Sequence, residues 1–170
     1  PWPHASTGIY ATGPADIKNN IIMGFRVGAC SSCPSGAKGN PAFVRFNEFH
    51  SNEIGISLCE TTNIVRDNYI HDNYWLGVLV SHGACGELSN NLIIHNGDSA
   101  RIATAGVLCW QDYMRRPDLN MTPIIRNNTI HGNRGPGIRC RYVRGGLCTP
   151  VIQHNLVTWN QGPAIQCETV

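Results

Sequence analysis

Apolar and polar positions along the chain repeat one short pattern, apolar-x-x-Asn-x-apolar. The pattern occurs six times, and its asparagines are Asn20, Asn47, Asn68, Asn91, Asn128 and Asn155. The gaps between these asparagines are 27, 21, 23, 37 and 27 residues. Each gap can hold one coil of a solenoid together with loops of variable length. The pattern therefore predicts a repeat protein.

Each repeat is predicted to turn a corner at its asparagine. Asparagine tolerates the left-handed backbone conformation that a tight corner needs, and the apolar residue on either side then points inward from its own strand. Stacked asparagines can hydrogen-bond to one another and to the corner backbone, which satisfies polar groups that would otherwise be buried without partners. We therefore predict that the six asparagines form a ladder.

A second asparagine follows five residues after the first in five of the repeats, at Asn52, Asn73, Asn96, Asn133 and Asn160, and Phe25 takes this place in the first repeat. A glycine and an apolar residue come next, as in Gly55-Ile56. The residue two positions further is again apolar or a cysteine, which is the alternation of a strand with one buried face. Three short strands per repeat are predicted.

These motifs resemble those of the right-handed parallel β-helix repeat superfamily, the pectate-lyase-like proteins. The resemblance runs from about Gly8 to Cys167. It implies an all-β fold, a right-handed single-stranded parallel β-helix of about six coils. The superfamily includes lyases, hydrolases, epimerases, tailspikes, adhesins and purely structural members, so the resemblance by itself selects no activity.

Length and composition indicate one domain over residues 1–170. We expect an N-terminal arm at residues 1–7 and loop insertions at residues 96–105 and 110–122. No apolar run approaches the roughly 18 residues that span a bilayer, so no membrane span is expected. The net charge of +2 argues against a nucleic-acid partner.

The cysteines indicate an oxidising compartment, because eight occur in 170 residues and lysine occurs only at Lys18 and Lys38. The chain is therefore expected to be secreted and extracellular, with disulfides among Cys30, Cys33, Cys59, Cys85, Cys109, Cys140, Cys148 and Cys167. The sequence does not choose among the pairings, and the stacked cysteines can equally remain reduced core residues. The lone Cys30-x-x-Cys33 is a weak zinc signal, so neither a metal nor another cofactor is predicted.

The catalytic motifs that the resemblance implies are incomplete. Polygalacturonase-like members carry a Gly-His-Gly motif among others, and this chain has Ser81-His82-Gly83. Pectate-lyase-like members hold calcium with acidic residues on neighbouring coils, whereas Asp67 and Asp72 share one coil and lack acidic counterparts in the next. No pair of carboxylates stands out as a glycosidase pair. No catalytic residue is predicted, and an enzyme is not favoured.

Three surface features are candidates for binding or modification. His50, His71 and His131 share one phase, and His95 lies one residue away from it; they form either a column of functional imidazoles or an ordinary polar exterior. Aromatic and basic side chains suited to an acidic polysaccharide occur in the loops of the fourth repeat and on one strand of the fifth repeat. They are Trp110, Tyr113, Arg115, Arg116, Arg139 and Arg141. Asn127-Asn128-Thr129 is a glycosylation sequon at Asn127.

The leading hypothesis from sequence is a secreted structural subunit that stacks head-to-tail with copies of itself into a filament or surface layer. Its basis is that the chain enters and leaves the solenoid on the same strand, with no capping helix at either end. The alternative is an extracellular protein that binds or acts on a polysaccharide. A third possibility is that the chain is a piece of a longer solenoid.

Overall fold

A computed structural model describes residues 6–32, 41–59, 62–98, 104–112, 120–143 and 148–169. The regular structure within these ranges consists of nineteen β-strands in three parallel sheets, and each sheet takes every third strand along the chain. Parallel strands stacked in this order form a parallel β-helix. The predicted all-β repeat fold is therefore confirmed.

The long sheet has seven strands: β1 (Thr7–Ala11), β4 (Val27–Ser32), β7 (Ile54–Cys59), β10 (Leu76–Ser81), β13 (Ala105–Asp112), β16 (Ile138–Val143) and β19 (Ile165–Thr169). The second sheet has six: β2 (Asp16–Lys18), β5 (Phe43–Arg45), β8 (Ile64–Arg66), β11 (Glu87–Ser89), β14 (Ile124–Arg126) and β17 (Val151–Gln153). The third sheet has six: β3 (Ile21–Met23), β6 (Glu48–His50), β9 (Tyr69–His71), β12 (Leu92–Ile94), β15 (Thr129–His131) and β18 (Leu156–Thr158).

The interior is a set of columns that run along the axis of the β-helix. The two apolar positions of the repeated pattern supply the inward residues of the second and third sheets, as in Val65 and Ile70, and both are fully buried. The long sheet contributes two inward residues per strand, as in Val78 and Val80. Burying one such aliphatic side chain contributes about 1.5–3 kcal/mol. The repeated apolar pattern and the alternation along the long-sheet strands therefore identified the core.

The predicted asparagine ladder lies at the first corner, between the second and third sheets. In the middle of the ladder, the backbone N–H of Asn68 donates to Oδ1 of Asn91 at 3.1 Å, and Nδ2 of Asn68 donates to the same oxygen at 3.0 Å. The same amide also donates to the carbonyl of Val44, one coil back, at 2.8 Å. Each amide in the middle of the ladder therefore bridges three successive coils.

A second ladder lies at the second corner, between the third sheet and the long sheet. Asn73 donates from its backbone N–H and from Nδ2 to Oδ1 of Asn96, at 3.1 and 2.9 Å. Phe25 has no amide side chain, so the first coil contributes only its backbone N–H, which donates to Oδ1 of Asn52 at 3.0 Å. The second asparagine of the repeat thus performs the same task as the first.

One expectation about the corners is wrong, because the left-handed residue is not the ladder asparagine but the residue before it. Positive φ angles occur at Asn19, Phe46, Asp67, Asn90, Asn127 and His154 at the first corner, and at Gly24, Ser51, Asp72, His95, Gly132 and Trp159 at the second. The ladder asparagine must point inward to place its amide between coils. The sharp turn therefore falls on the preceding residue.

A column of glycines packs behind the second ladder, where each coil enters the long sheet. A Cβ atom at Gly77 would lie 2.6 Å from the carbonyl oxygen of Gly106 and 2.8 Å from Cγ2 of Ile93. The same Cβ would lie 3.0 Å from Nδ2 of Asn96. Since real Cβ atoms do not approach other atoms so closely, the glycine of each Gly-apolar pair is required by close backbone packing.

The predicted arm and loop insertions overlap residues of two strands and of the second ladder. β1 begins at Thr7, the last residue assigned to the arm. Asn96 opens the first predicted insertion but is a buried member of the second ladder. β13 continues to Asp112 and so includes the first residues of the second predicted insertion.

The cysteines were predicted to form disulfides, and this prediction is not confirmed. The seven described cysteines, which are Cys30, Cys59, Cys85, Cys109, Cys140, Cys148 and Cys167, are all present as thiols. Cys33 lies outside the described residues. Cys109 and Cys140 point into the core and are buried, whereas Cys30 and Cys59 lie on the outer face of the long sheet.

Candidate functional site

The predicted glycan-binding residues that the structure describes lie on the outer face of the long sheet. Trp110 on β13 is the register neighbour of Arg141 on β16, and Leu108 is the neighbour of Arg139. Within the described residues, Nε1 of Trp110 and Nε of Arg141 are buried without a hydrogen-bond partner. The structure thus brings Trp110, Arg139 and Arg141 together, whereas Tyr113, Arg115 and Arg116 lie outside the described residues.

The surroundings of these three side chains limit what they can bind. Arg139 donates a hydrogen bond to the carboxylate of Glu168, and this contact lowers the pKa of Glu168. Trp110 packs against an apolar cluster on the same outer face that includes Leu76 and Leu108. One guanidinium is therefore already engaged by a carboxylate, and the indole is partly used in packing.

A thiol and an imidazole meet beside Trp110. Sγ of Cys59 lies 3.6 Å from Nδ1 of His82, and the His82 ring lies 6.2 Å from that of Trp110, measured between centroids. His82 follows β10 with a φ of 52°, and the next residue donates its N–H to the buried amide of Gln111 at 2.9 Å. The Ser81-His82-Gly83 motif therefore forms a turn that holds the imidazole against the sheet.

The histidines named from sequence lie in two pairs: His50 and His71 are on β6 and β9, and His131 on β15 lies near His95, which follows β12 at the second corner. The rings of His50 and His71 stack with 5.2 Å between centroids, and His95 meets His131 edge-on at 6.0 Å. His71 is held between two carboxylates, because Nε2 lies 3.0 Å from Oε1 of Glu48 and Nδ1 lies 2.8 Å from Oδ2 of Asp72. Within the described residues, no group of three or more His, Cys, Asp or Glu side chains is arranged to hold a metal ion.

Asp72 also lines a groove on the outside of the β-helix, which we call the corner groove. It follows the second corner, encloses ≈ 620 Å³ and is lined by polar side chains that include Asp72, Tyr74, His95, Asp98, Arg134 and Gln161. The lining residues come from four successive coils. At about 4.8 Å per coil, the groove runs roughly 14 Å along the axis.

The corner groove exists because glycines interrupt two columns of exterior side chains. The residues that follow the second ladder stack in the order Glu53, Tyr74, Gly97, Arg134 and Gln161. Gly97 leaves a gap in this column, and Gly132 leaves a gap in the column of left-handed residues before the ladder. The His95 ring fills part of the second gap, since a Cβ at Gly132 would lie 2.7 Å from Cδ2 of His95.

A smaller groove, the Arg–Glu groove, lies before the first corner. This groove lies on the outer face of the second sheet and ends at the first corner; it encloses ≈ 390 Å³, and its lining includes Arg66, Glu87, Arg126 and Asn127. Arg126 donates to Glu87 through Nε and Nη2 at 3.1 and 3.0 Å. Hydrogen bonds from Ser89 and Arg126 lower the pKa of Glu87, which keeps this carboxylate charged. The Asn127 side chain is exposed here, and its glycosylation stays a prediction.

Sequence reasoning singled out several residues of the corner groove but did not bring them together. Asp72 was named with Asp67 as an acidic residue of one coil, and His95 was named with the other histidines. Tyr74 and Gln161 were missed. The signal in the sequence was a pair of glycines, Gly97 and Gly132, at positions where most other coils carry a side chain. These positions become visible only when the coils are aligned on the second asparagine.

Comparison with known families agrees with the architecture. The model of the family described as "Right handed beta helix region" matches residues 4–114, more than half of the 170-residue chain. Comparison with curated proteins and comparison with solved structures each gave no match. Within the described residues, no helix is long and apolar enough to cross a membrane. The chain belongs to the right-handed β-helix family.

Proposed function

We propose that the protein binds a polysaccharide in the corner groove. The observation that carries this proposal is the lining of the groove: an aromatic ring, two carboxylates, a guanidinium, an imidazole and a carboxamide surround one open channel. Sugar rings have an apolar face that packs on aromatic rings, and they have hydroxyl groups that both donate and accept hydrogen bonds. Tyr74, with 56% of its surface exposed, can supply the packing surface.

The shape of the groove favours a polymer over a single sugar. The channel is open to solvent and crosses four coils, a length of roughly 14 Å, so that more than one sugar ring can lie along it. The ladder amides hold the backbone of every coil at the same spacing, which makes the site rigid before a ligand arrives. A rigid, pre-formed channel is well suited to a stiff extended chain.

The charges of the groove favour a neutral polysaccharide. Asp72, which also contacts His71, and Asp98 place two carboxylates in the lining beside the guanidinium of Arg134, and carboxylates repel a polymer of uronic acids at close range. An acidic polymer is better matched to Arg139 and Arg141 on the long sheet, where the sequence had placed it. The two surfaces therefore make opposite predictions about the preferred polymer.

Affinity electrophoresis in gels that contain either a neutral glucan or mannan or a polymer of uronic acids tests the proposal. We expect the neutral gels to retard the wild-type protein and the Tyr74→Ala and Arg134→Ala variants to lose most of that retardation. Arg126→Ala removes a similar side chain from the Arg–Glu groove and serves as the matched control, with retardation unchanged. Equal migration of wild type and both groove variants in every gel contradicts the proposal.

The long sheet is tested in the same gels with the Arg139→Ala, Arg141→Ala double variant. If uronic-acid gels retard the wild-type protein and the double variant loses this retardation, the site lies on the long sheet and the corner groove is excluded. The same panel of polymers, incubated with the protein and analysed for chain length, shows whether binding is accompanied by depolymerisation.

A second pair of variants tests the channel itself. Gly132→Ala places a methyl group against His95 and pushes its ring into the channel, whereas Gly24→Ala alters the equivalent left-handed position in the first coil, where a Cβ meets nothing within 4 Å. Both substitutions carry the same backbone strain, about 1 kcal/mol. Only Gly132→Ala is expected to weaken retardation, and equal binding by the two variants contradicts a role for the channel.

Head-to-tail assembly is the second candidate function, and apolar side chains on the last coil favour it. Trp159 is 82% exposed, and Leu156 and Ile165 are also exposed. A second copy that continues the three sheets would cover these side chains and the strand edges beside them. Light scattering over a range of protein concentrations tests this proposal. Particle size that increases with concentration, and that increases less in Trp159→Lys, supports assembly. A monomer at every concentration contradicts it.

A further inference from the structure

Four cysteines meet on the last coils of the β-helix, where Cys109 and Cys140 are buried, Cys148 is half-buried and Cys167 is exposed. Cys109, Cys140 and Cys167 occupy the same inward position on β13, β16 and β19 and are register neighbours from strand to strand. Cα atoms on neighbouring strands are about 4.8 Å apart, which is within the separation that a disulfide spans. The fourth, Cys148, forms a β-bridge with Met121 and packs against the core. We call these four residues the interior thiol cluster.

The contacts within the cluster are unequal. The Cys109 side chain hydrogen-bonds with those of both Cys140 and Cys148. The Cys140 side chain also hydrogen-bonds with those of Cys148 and Cys167. A bond between Cys140 and Cys167 therefore leaves Cys109 beside Cys148, with which it is already in contact. Two other arrangements exist. A bond between Cys109 and Cys140 would leave Cys148 and Cys167, which interact through charge. A bond between Cys140 and Cys148 would leave Cys109 and Cys167, which lie two strands apart.

We propose that the interior thiol cluster is an oxidation site that closes two disulfides, Cys109 to Cys148 and Cys140 to Cys167. The two bridges would join β13 to the segment after β16, and β16 to β19. They would thus fasten together the last three strands of the long sheet. In the earlier coils the same inward column is filled by Leu58 and Val80, so the change to cysteine is confined to this end of the column.

The cluster contains its own nucleophile. Contacts with the thiols of Cys109 and Cys140 lower the pKa of the Cys148 thiol. Cys148 is also partly accessible, whereas Cys109 and Cys140 are buried. Because the thiolate is the reactive form of cysteine, Cys148 is the residue that begins the exchange.

The chemistry balances with a small-molecule disulfide as the oxidant. The Cys148 thiolate attacks one sulfur of that disulfide, forms a mixed disulfide and releases one thiolate. Cys109 then loses its proton to solvent or to the released thiolate and attacks Sγ of Cys148, which expels the second thiol. A second molecule of oxidant reacts in the same way at Cys140 and Cys167. Each bridge thus reduces one disulfide to two thiols.

Peptide mapping under non-reducing conditions tests the pairing. The protein is equilibrated with oxidised glutathione, its remaining thiols are blocked with N-ethylmaleimide, and its proteolytic peptides are identified by mass spectrometry. We expect linked peptides for Cys109 with Cys148 and for Cys140 with Cys167. Wild-type protein in which all four cysteines carry the label, or in which Cys109 is linked to Cys140, overturns the proposal.

Single substitutions provide an independent check. Cys148→Ser should leave Cys109 labelled and the Cys140–Cys167 bridge intact, and Cys140→Ser should leave Cys167 labelled and the Cys109–Cys148 bridge intact. Cys85→Ser is the control, because Cys85 is exposed and outside the cluster, and both bridges should persist. Oxidation of the wild-type protein should raise its melting temperature by about 10–20 °C, and an unchanged melting temperature overturns the proposal even if a variant fails to fold.

Discussion

The two corners of each coil have the same scaffold but different exteriors. Both carry an asparagine ladder, and both place the residue before the asparagine in the left-handed conformation. At the first corner every described left-handed residue has a side chain, and the groove beside it is partly filled by the ion pair of Arg126 and Glu87. At the second corner glycines interrupt the columns, and the larger groove is open.

This difference shows which part of the repeat is constrained. The ladder amides fix the backbone, so that the exterior residue beside them is not needed for folding and can differ from coil to coil. A groove arises where such a residue is lost, and its chemistry is set by the side chains on the coils above and below. The β-helix can therefore acquire a binding site without any change to its core.

The strongest test of the shared scaffold is to remove one amide from each ladder. Asn91→Ala and Asn96→Ala are matched, because both residues lie in the middle of the chain and are buried. Each substitution leaves backbone and amide groups of the neighbouring coils without partners, and each is expected to lower the free energy of unfolding by about 3–5 kcal/mol. Urea denaturation measures this loss.

Asn155→Ala is the control for that experiment, because Asn155 is only half-buried and its groups can turn to water. Its expected cost is about 1 kcal/mol. The losses of unfolding free energy in Asn91→Ala and Asn96→Ala should be similar. If these two losses differ from each other by more than either differs from the loss in Asn155→Ala, then the two corners do not share one scaffold.

The next largest effect separates the corners, because the glycine column supports the second ladder alone. In Gly106→Ala the new methyl group would lie 2.8 Å from both the carbonyl oxygen of Gly137 and Cγ2 of Ile130, and 2.9 Å from Nδ2 of Asn133. We expect a loss of about 2–3 kcal/mol, since backbone and core must both shift. In Gly13→Ala the methyl group meets nothing within 4 Å, and the change should be within about 0.5 kcal/mol. Similar melting temperatures for the two variants would show that the column is not required.

A gain of stability is expected where a bulky residue holds the left-handed position. Phe46 at the first corner and Trp159 at the second have φ angles of 55°. Asparagine tolerates this conformation better, so Phe46→Asn and Trp159→Asn should each stabilise the protein by about 0.5–1 kcal/mol. Tyr10→Asn is the control, because Tyr10 is an exposed aromatic residue in an ordinary strand. A loss of stability in both corner variants, measured by urea denaturation, would show that strain at these positions is negligible.

The smallest effect concerns the ion pair that fills the Arg–Glu groove. The pKa of Glu87 is lowered in the folded protein by the hydrogen bonds from Ser89 and Arg126. Its contribution is therefore fully present above the ordinary pKa of a glutamate and is lost as the pH falls through the lowered value. Glu87→Gln should cost about 0.5 kcal/mol at pH 7, and this difference should vanish in acid. A difference that persists at the lowest pH would assign the effect to packing instead of charge.

Sequence and structure agree best where the information is local. The strand-corner-strand unit of Ile125 to Ile130 is encoded within six residues, so its apolar pattern predicted both the strands and the inward side chains. The conformation of the corner was predicted less well. The sequence suggested that Asn128 itself is left-handed, whereas Asn127 takes that conformation, because only the hydrogen bonds between coils require Asn128 to face inward.

The sequence by itself determined that this protein is a parallel β-helix, since the alternation of apolar residues and the recurring asparagines act within one coil and repeat in each. Only the tertiary structure decided which exterior residues meet. Loops of unequal length separate the coils, so Tyr74 and Arg134 lie far apart along the chain but line one groove, and Cys109 and Cys148 meet inside the core. Stacking converts positions that are distant in sequence into neighbours about 4.8 Å apart, and a site made in this way is not encoded in any single repeat.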